Sequence, residues 1–133
     1  MARPLPRFPE PDTQPFWDET QNHRLTYQVC SDCTSVIFHS RRTCTTCGSM
    51  NLERRESSGL GTVYSYSLVP SNRMPGFAEL GPYAVALIDL DEGFRMVSNV
   101  INTGDAGPSV GQRVRVSWED QEGGISLPLF EPA

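Results

Sequence analysis

Apolar and polar positions alternate through the second half of the chain, and the alternation predicts short strands. Between Thr62 and Val69, Tyr64, Tyr66 and Leu68 alternate with Val63, Ser65 and Ser67. Tyr83 to Leu90 is nearly continuous apolar, and Phe94 to Ile101 follows an Asp91-Glu92-Gly93 turn. Val114, Val116 and Trp118 share one face of a further strand, opposite Arg113, Arg115 and Ser117. A last strand is expected around Ile125 to Phe130. Short strands with Gly-rich turns and no strong helical period predict a five-stranded, OB-like barrel. Upstream, three shorter strands are expected at Leu25 to Val29, Val36 to Phe38 and Leu52 to Glu56. The fold class is therefore mainly β.

The chain opens differently. Five of the 11 prolines fall in the first fifteen residues, so this stretch is expected to be an extended arm. Asp12 or Thr13 is placed to cap a short helix over roughly Thr13 to Asn22, with Pro15 in its first turn. Phe16 and Trp17 project from that helix, either to fasten it to its own domain or to meet another subunit. The expected organisation is an arm and helix over 1–24, a ribbon over 25–58 and a barrel over 59–133. Pro70 to Gly81 is a long connection carrying Met74, Phe77 and Leu80 beside Arg73, and long apolar loops are more often functional than idle.

Cysteine spacing adds a metal. Cys30-Ser31-Asp32-Cys33 and Cys44-Thr45-Thr46-Cys47 use all four cysteines in two C-x2-C knuckles. Two such knuckles joined by a ribbon give closed tetrahedral thiolate ligation, the arrangement of structural zinc. Arg41, Arg42, Arg54 and Arg55 flank the knuckles, as donors to the sulfurs or as an anion-binding patch.

Composition narrows the chemistry. All 11 basic residues are arginine, which excludes Schiff-base and P-loop lysine chemistry from the 133-residue chain. Two histidines remain, His39 inside the ribbon and His23 at the helix end, and no catalytic grouping forms around either. Asp89, Asp91 and Glu92 read as a solvated hairpin end. Residues 61–133 carry four Arg against nine acids, a poor surface for nucleic acid even though Tyr64 and Tyr66 are placed either to stack bases or to fill the barrel core. No stretch has the length of a membrane span and the first residues lack a signal peptide's apolar core, so a cytoplasmic location is expected.

Taken in order, Pro15-Phe16-Trp17, the two Cys pairs with Phe38, Arg41 and Gly48, Ser58-Gly59-Leu60-Gly61-Thr62-Val63-Tyr64, Pro82-Tyr83, Glu92-Gly93, Gly111-x-x-Val114 and Phe130 resemble a known family. Its members combine a rubredoxin-like zinc ribbon with an acyl-CoA-associated OB-fold, long catalogued as a domain of unknown function. The family usually has Gly where this chain has Thr34, and Pro where it has Ser40 and Thr45. The resemblance implies a non-catalytic accessory subunit of a thiolase-superfamily enzyme, foremost a lipid-transfer-protein-type retro-aldolase of steroid side chains. An acetyl-CoA acetyltransferase or hydratase complex is the alternative. It further implies a heterotetramer and acyl-CoA at or near the shared interface. Phe16, Trp17, Arg73, Met74, Phe77 and Phe130 are the expected partner or acyl-CoA contacts, with Arg73 placed either to meet a CoA phosphate or to stand exposed on a partner-binding loop.

Overall fold

Pro15 stands in the first turn of the helix, where its missing amide leaves no bond unmade, and the helix α1 runs Gln14–Thr20. It is shorter than predicted at both ends. The Thr13 hydroxyl bonds Glu10 rather than capping the helix, and His23 adopts a φ of 56°, a left-handed conformation that a continuing helix does not admit. In the computed structural model, residues 3–6 and 10–133 are described; the remainder of the expected arm, 1–2 and 7–9, lies outside the described residues.

After the helix comes a three-stranded antiparallel sheet. Its middle strand β1 (Thr26–Cys30) is flanked by β2 (Val36–Ile37) and β3 (Leu52–Glu56). Then follow β4 (Leu60–Val69), β5 (Tyr83–Leu90), β6 (Arg95–Val100), β7 (Arg113–Asp120) and β8 (Ser126–Pro132), which close a barrel in the order β4-β5-β6-β8-β7. The barrel closes through β4 against β7 and through a single parallel pairing of β6 with β8 at Val100 and Phe130. A bulge between Val63 and Ser65 bends β4, so that its first residues pair with β7 while its whole length follows β5.

The turn into the barrel depends on two glycines. Gly59 has a φ of 77°, and a Cβ there would lie 2.5 Å from Val116 Cγ1; at Gly61 a Cβ would lie 2.7 Å from the Asp89 carbonyl oxygen. Glu92 ties the same junction, accepting from the Ser57 hydroxyl at 2.5 Å and the Ser58 amide at 2.9 Å. The acids expected to form a solvated hairpin end are thus partnered, with Asp89 on Arg95 and Asp91 on Arg113.

The core follows the alternation. On β5, Ala84, Ala86, Ile88 and Leu90 are buried and the intervening residues half-buried. Phe94, Met96, Val100, Val114 and Phe130 complete it together with Phe16, Leu25 and Tyr27 from upstream, so ribbon and barrel share one core. An aromatic seam runs through the junction. Tyr27 stacks on Phe94 at 5.0 Å, Phe94 on Phe38 at 4.9 Å and Phe38 on His39 at 4.9 Å, while Phe16 meets His39 edge-on at 4.4 Å.

Two sequence expectations change here. Phe130 offers no docking surface, because β8 lies between β6 and β7 and turns its ring into the core at 0% exposure. Tyr64 and Tyr66 are not core residues: they are exposed, and the Tyr64 ring lies beneath the Arg95 guanidinium, 3.5 Å from its centroid. Tyr64 follows the buried Val63 and so lies on the outer face, at the bulge between Val63 and Ser65.

Phe130→Ala is expected to lower stability by about 3–5 kcal/mol, measured by denaturant unfolding of the zinc-loaded protein. A loss below about 1 kcal/mol would contradict the central packing of β8.

A four-cysteine metal centre beside an apolar cavity

Each Cys pair sits on a tight turn, and the two turns repeat one hydrogen-bond pattern. In the first, the Thr34 amide bonds the Cys30 carbonyl at 2.9 Å and the Cys30 amide bonds the Ser35 carbonyl at 2.9 Å. In the second, Gly48 bonds Cys44 at 3.0 Å and Cys44 bonds Ser49 at 2.8 Å. Thr34 and Gly48 are therefore equivalent, and both are left-handed, with φ of 64° and 77°. Glycine adopts that conformation freely, whereas the branched Cβ of threonine opposes it. Thr34 stands where the related pattern has Gly, and the turn keeps its shape despite the substitution.

The four sulfurs of Cys30, Cys33, Cys44 and Cys47 lie within 4.8 Å of one another. Cys30 and Cys47 are 3.7 Å apart, Cys33 and Cys44 3.5 Å. Tetrahedral zinc with bonds of about 2.3 Å requires sulfurs about 3.8 Å apart, so the set fits the ion. Charge points the same way. The backbone amides of Cys47 and Thr46 draw the Cys44 thiol down to about 6, favouring thiolate. The Ser49 amide pulls Cys47 in the same direction, but Cys33, desolvation, Cys30 and Cys44 together push it up to about 12. Crowded sulfurs cannot all ionise without a cation among them. When bound, zinc supplies a structural cross-link between the knuckles, with the four thiolates filling its coordination.

The flanking arginines do not serve the sulfurs. Arg54 donates to Thr26 at 3.0 Å and to Ser40 at 2.7 Å, Arg55 pairs with Glu53, and Arg42 reaches Asp12 at 4.0 Å. Backbone amides of the second knuckle occupy that role instead, Thr46 and Cys47 donating to Cys44 Sγ at 3.3 and 3.5 Å, while Cys33 Sγ donates to the Ser35 hydroxyl at 3.2 Å. Side-chain charge had suggested the wrong donors, because knuckle amides are invisible to a reading of side chains.

A cavity of about 460 Å³ opens where α1, the end of the ribbon and the barrel meet. Phe16, Trp17 and Phe77, three of the expected contact residues, line it together with His39 and Val97. Phe16 is otherwise buried, fastening the helix to its own domain, while Trp17 is half-exposed. Phe77 stacks on Tyr83 at 5.6 Å. Arg73 and Met74 are exposed on the loop before it and do not line the cavity, and Phe130 lies in the core. Sequence reasoning assigned His39 to the ribbon and missed its place in the cavity wall. Its position directly after Phe38, in an apolar stretch, was the available signal.

Residues 17–53 match the family model described as the ChsH2 rubredoxin-like zinc ribbon domain, and residues 54–119 that of the ChsH2 C-terminal OB-fold domain. A DUF35 domain-containing scaffold protein of Methanothermobacter thermautotrophicus is 32% identical over 119 residues, covering 84% of this chain and 89% of the relative. The chain belongs to the DUF35 family. Longer relatives also match. A probable enoyl-CoA hydratase alpha subunit of Thermomonospora curvata is 34% identical across 89% of this chain, which spans 37% of that relative. The 3-oxo-4,17-pregnadiene-20-carboxyl-CoA hydratase alpha subunit of Mycobacterium tuberculosis is 30% identical across 82% of this chain, which spans 34% of it. Among solved structures, a chain of the Ltp2-ChsH2(DUF35) aldolase superposes with a TM-score of 0.84 at 29% identity, over 96% of this chain and 98% of that one. Among the described residues no helix is long and apolar enough to cross a membrane.

Metal analysis of the purified DUF35 chain is expected to find one zinc per chain, released by chelator or by acid as protons compete for the thiolates. A metal-free chain with unchanged near-ultraviolet dichroism would contradict the site. Thr34→Gly is expected to raise stability by about 0.5–1 kcal/mol, the left-handed strain of a branched residue less the added chain entropy of glycine. An unchanged or lower melting temperature would show that the knuckle carries no such strain.

Proposed function

We propose that this chain is a non-catalytic accessory subunit of a thiolase-fold enzyme acting on acyl-CoA thioesters, foremost a retro-aldolase of steroid side chains. The observation that carries the reading is the end-to-end likeness to a chain of the Ltp2-ChsH2(DUF35) aldolase, in which ribbon, helix and barrel all superpose. The relative named for a pregnadiene carboxyl-CoA substrate supports the steroid class. A hydratase complex is the second reading, favoured by the names of the two longer relatives.

The chemistry of the chain suits a partner's assistant. Four of its acids are committed to structural bonds: Asp89 and Asp91 to arginines, Glu92 to the interdomain turn and Asp120 to His23 at 2.6 Å. What it presents instead is apolar surface, with Met74 at 56% exposure and Val97 at 63% near the cavity. In this reading the enzyme docks over the cavity face, two large and two small chains form the complex, and the cavity extends the acyl-CoA site. The reacting groups belong to the large chain.

Co-expression with a thiolase-like protein encoded beside it tests the assignment. The two are expected to co-purify, and omission of this chain is expected to abolish acyl-CoA cleavage by the large one. Full activity of the large protein alone would exclude the accessory role.

A further inference from the structure

Among the polar groups of the apolar cavity, His39 keeps a ring donor that no described residue uses. His39 accepts the Ser40 amide through Nδ1 at 2.7 Å, which places the proton of the neutral ring on Nε2. No described residue bonds Nε2, and His39 forms part of the cavity wall. Burial, followed by the positive charges of Arg54 and Arg41, holds the ring below the usual histidine range, so near neutral pH it is an uncharged donor.

Several other polar groups at the cavity are already engaged, while the Trp17 indole N–H is a second donor for which no described residue is an acceptor. Arg3, at the rim, donates to Glu119 at 2.8 Å and to Asn99 at 2.8 Å, so its charge is balanced. Ser98 donates to the Pro128 carbonyl at 2.7 Å, and the Asn99 amide donates to the Ala84 carbonyl at 2.9 Å. The rest of the wall is aromatic and aliphatic, including Trp17, Phe77 and Leu127. A volume of about 460 Å³ suits a small organic molecule, and a few convergent polar groups in an apolar wall are what orient one.

We infer that this cavity is a binding site, formed by this chain alone, for an uncharged apolar group bearing one carbonyl oxygen, which accepts a hydrogen bond from His39 Nε2. A carboxylate fits poorly, since the neighbouring guanidinium is neutralised by Glu119. A pure hydrocarbon leaves the donor unpaired in an apolar wall, which carries a desolvation penalty. The inference rests on the accessory-subunit reading only for the natural cargo, which would then be a keto or ester oxygen within the acyl part of the thioester.

The test uses the full, zinc-loaded chain and a neutral aromatic ketone, 6-propionyl-2-(dimethylamino)naphthalene, whose emission reports both polarity and hydrogen bonding at its carbonyl. Saturable binding is expected, with energy transfer from Trp17 in the wall. The analogue with a methylene in place of the carbonyl, 2-(dimethylamino)-6-propylnaphthalene, is expected to bind about five- to tenfold more weakly, the worth of one hydrogen bond. His39→Phe is expected to erase that difference, and His39→Gln, which keeps a donor, to restore most of it. Equal binding of the two probes by the unaltered chain would overturn the inference without reference to any variant. Absence of saturable ketone binding would also overturn it, leaving the cavity as a seat for a partner's side chains. Neither result bears on partner-dependent activity, so the accessory role stands or falls separately.

Discussion

Helix, ribbon and barrel are held to one another by the aromatic seam from Tyr27 through Phe94, Phe38 and His39 to Phe16. Each ring-to-ring contact of this kind contributes about 0.5–1.5 kcal/mol beyond area burial, and the members belong to three different elements. Their packing therefore fixes relative position as well as stability. Without it the cavity would have no fixed wall, because one side comes from α1 and the end of β2 and the other from β5, β6 and β8.

The metal centre stands at the far end of the same lever. Zinc joins the two knuckles, the knuckles set the register of β1 against β2 and β3, and β1 delivers Tyr27 to the seam while the residues after β2 deliver Phe38 and His39. A ribbon of this size buries little apolar surface by itself, its own cluster being Cys30, Ile37 and Cys44 with Cys33 and Leu52 packed against it. Cross-linking by a metal and anchoring to the barrel core are the two devices by which so small a unit keeps a defined shape. Function follows from that rigidity: a scaffold contributes to a partner's site only as accurately as its own parts are held.

The cysteine spacing was readable because metal ligation leaves a local signature, and the barrel because its strands alternate over several residues each. Strand limits agreed closely; Leu52–Glu56 and Tyr83–Leu90 match as expected. The likeness to DUF35 proteins was also legible, from motifs that are weak one by one and specific in order. What stayed hidden was of two kinds. Long-range placement decided that Phe130 is core and that His39 faces a cavity, and only for His39 did a sequence neighbour, Phe38, carry a signal. Backbone geometry decided the rest: the bulge within β4, the left-handed His23 beyond the helix, and the amides that supplant arginines at the sulfurs.

We propose that the face around the cavity is where this chain works with an acyl-CoA enzyme. Hydrogen–deuterium exchange of the zinc-loaded chain, free and in complex with the thiolase-like partner proposed for it, tests this most directly. The account predicts slowed exchange in α1, in the loop through Phe77 and in β6 around Val97. Protection confined to the opposite side of the barrel, around Gly111 and Arg115, with these segments unchanged, would contradict it.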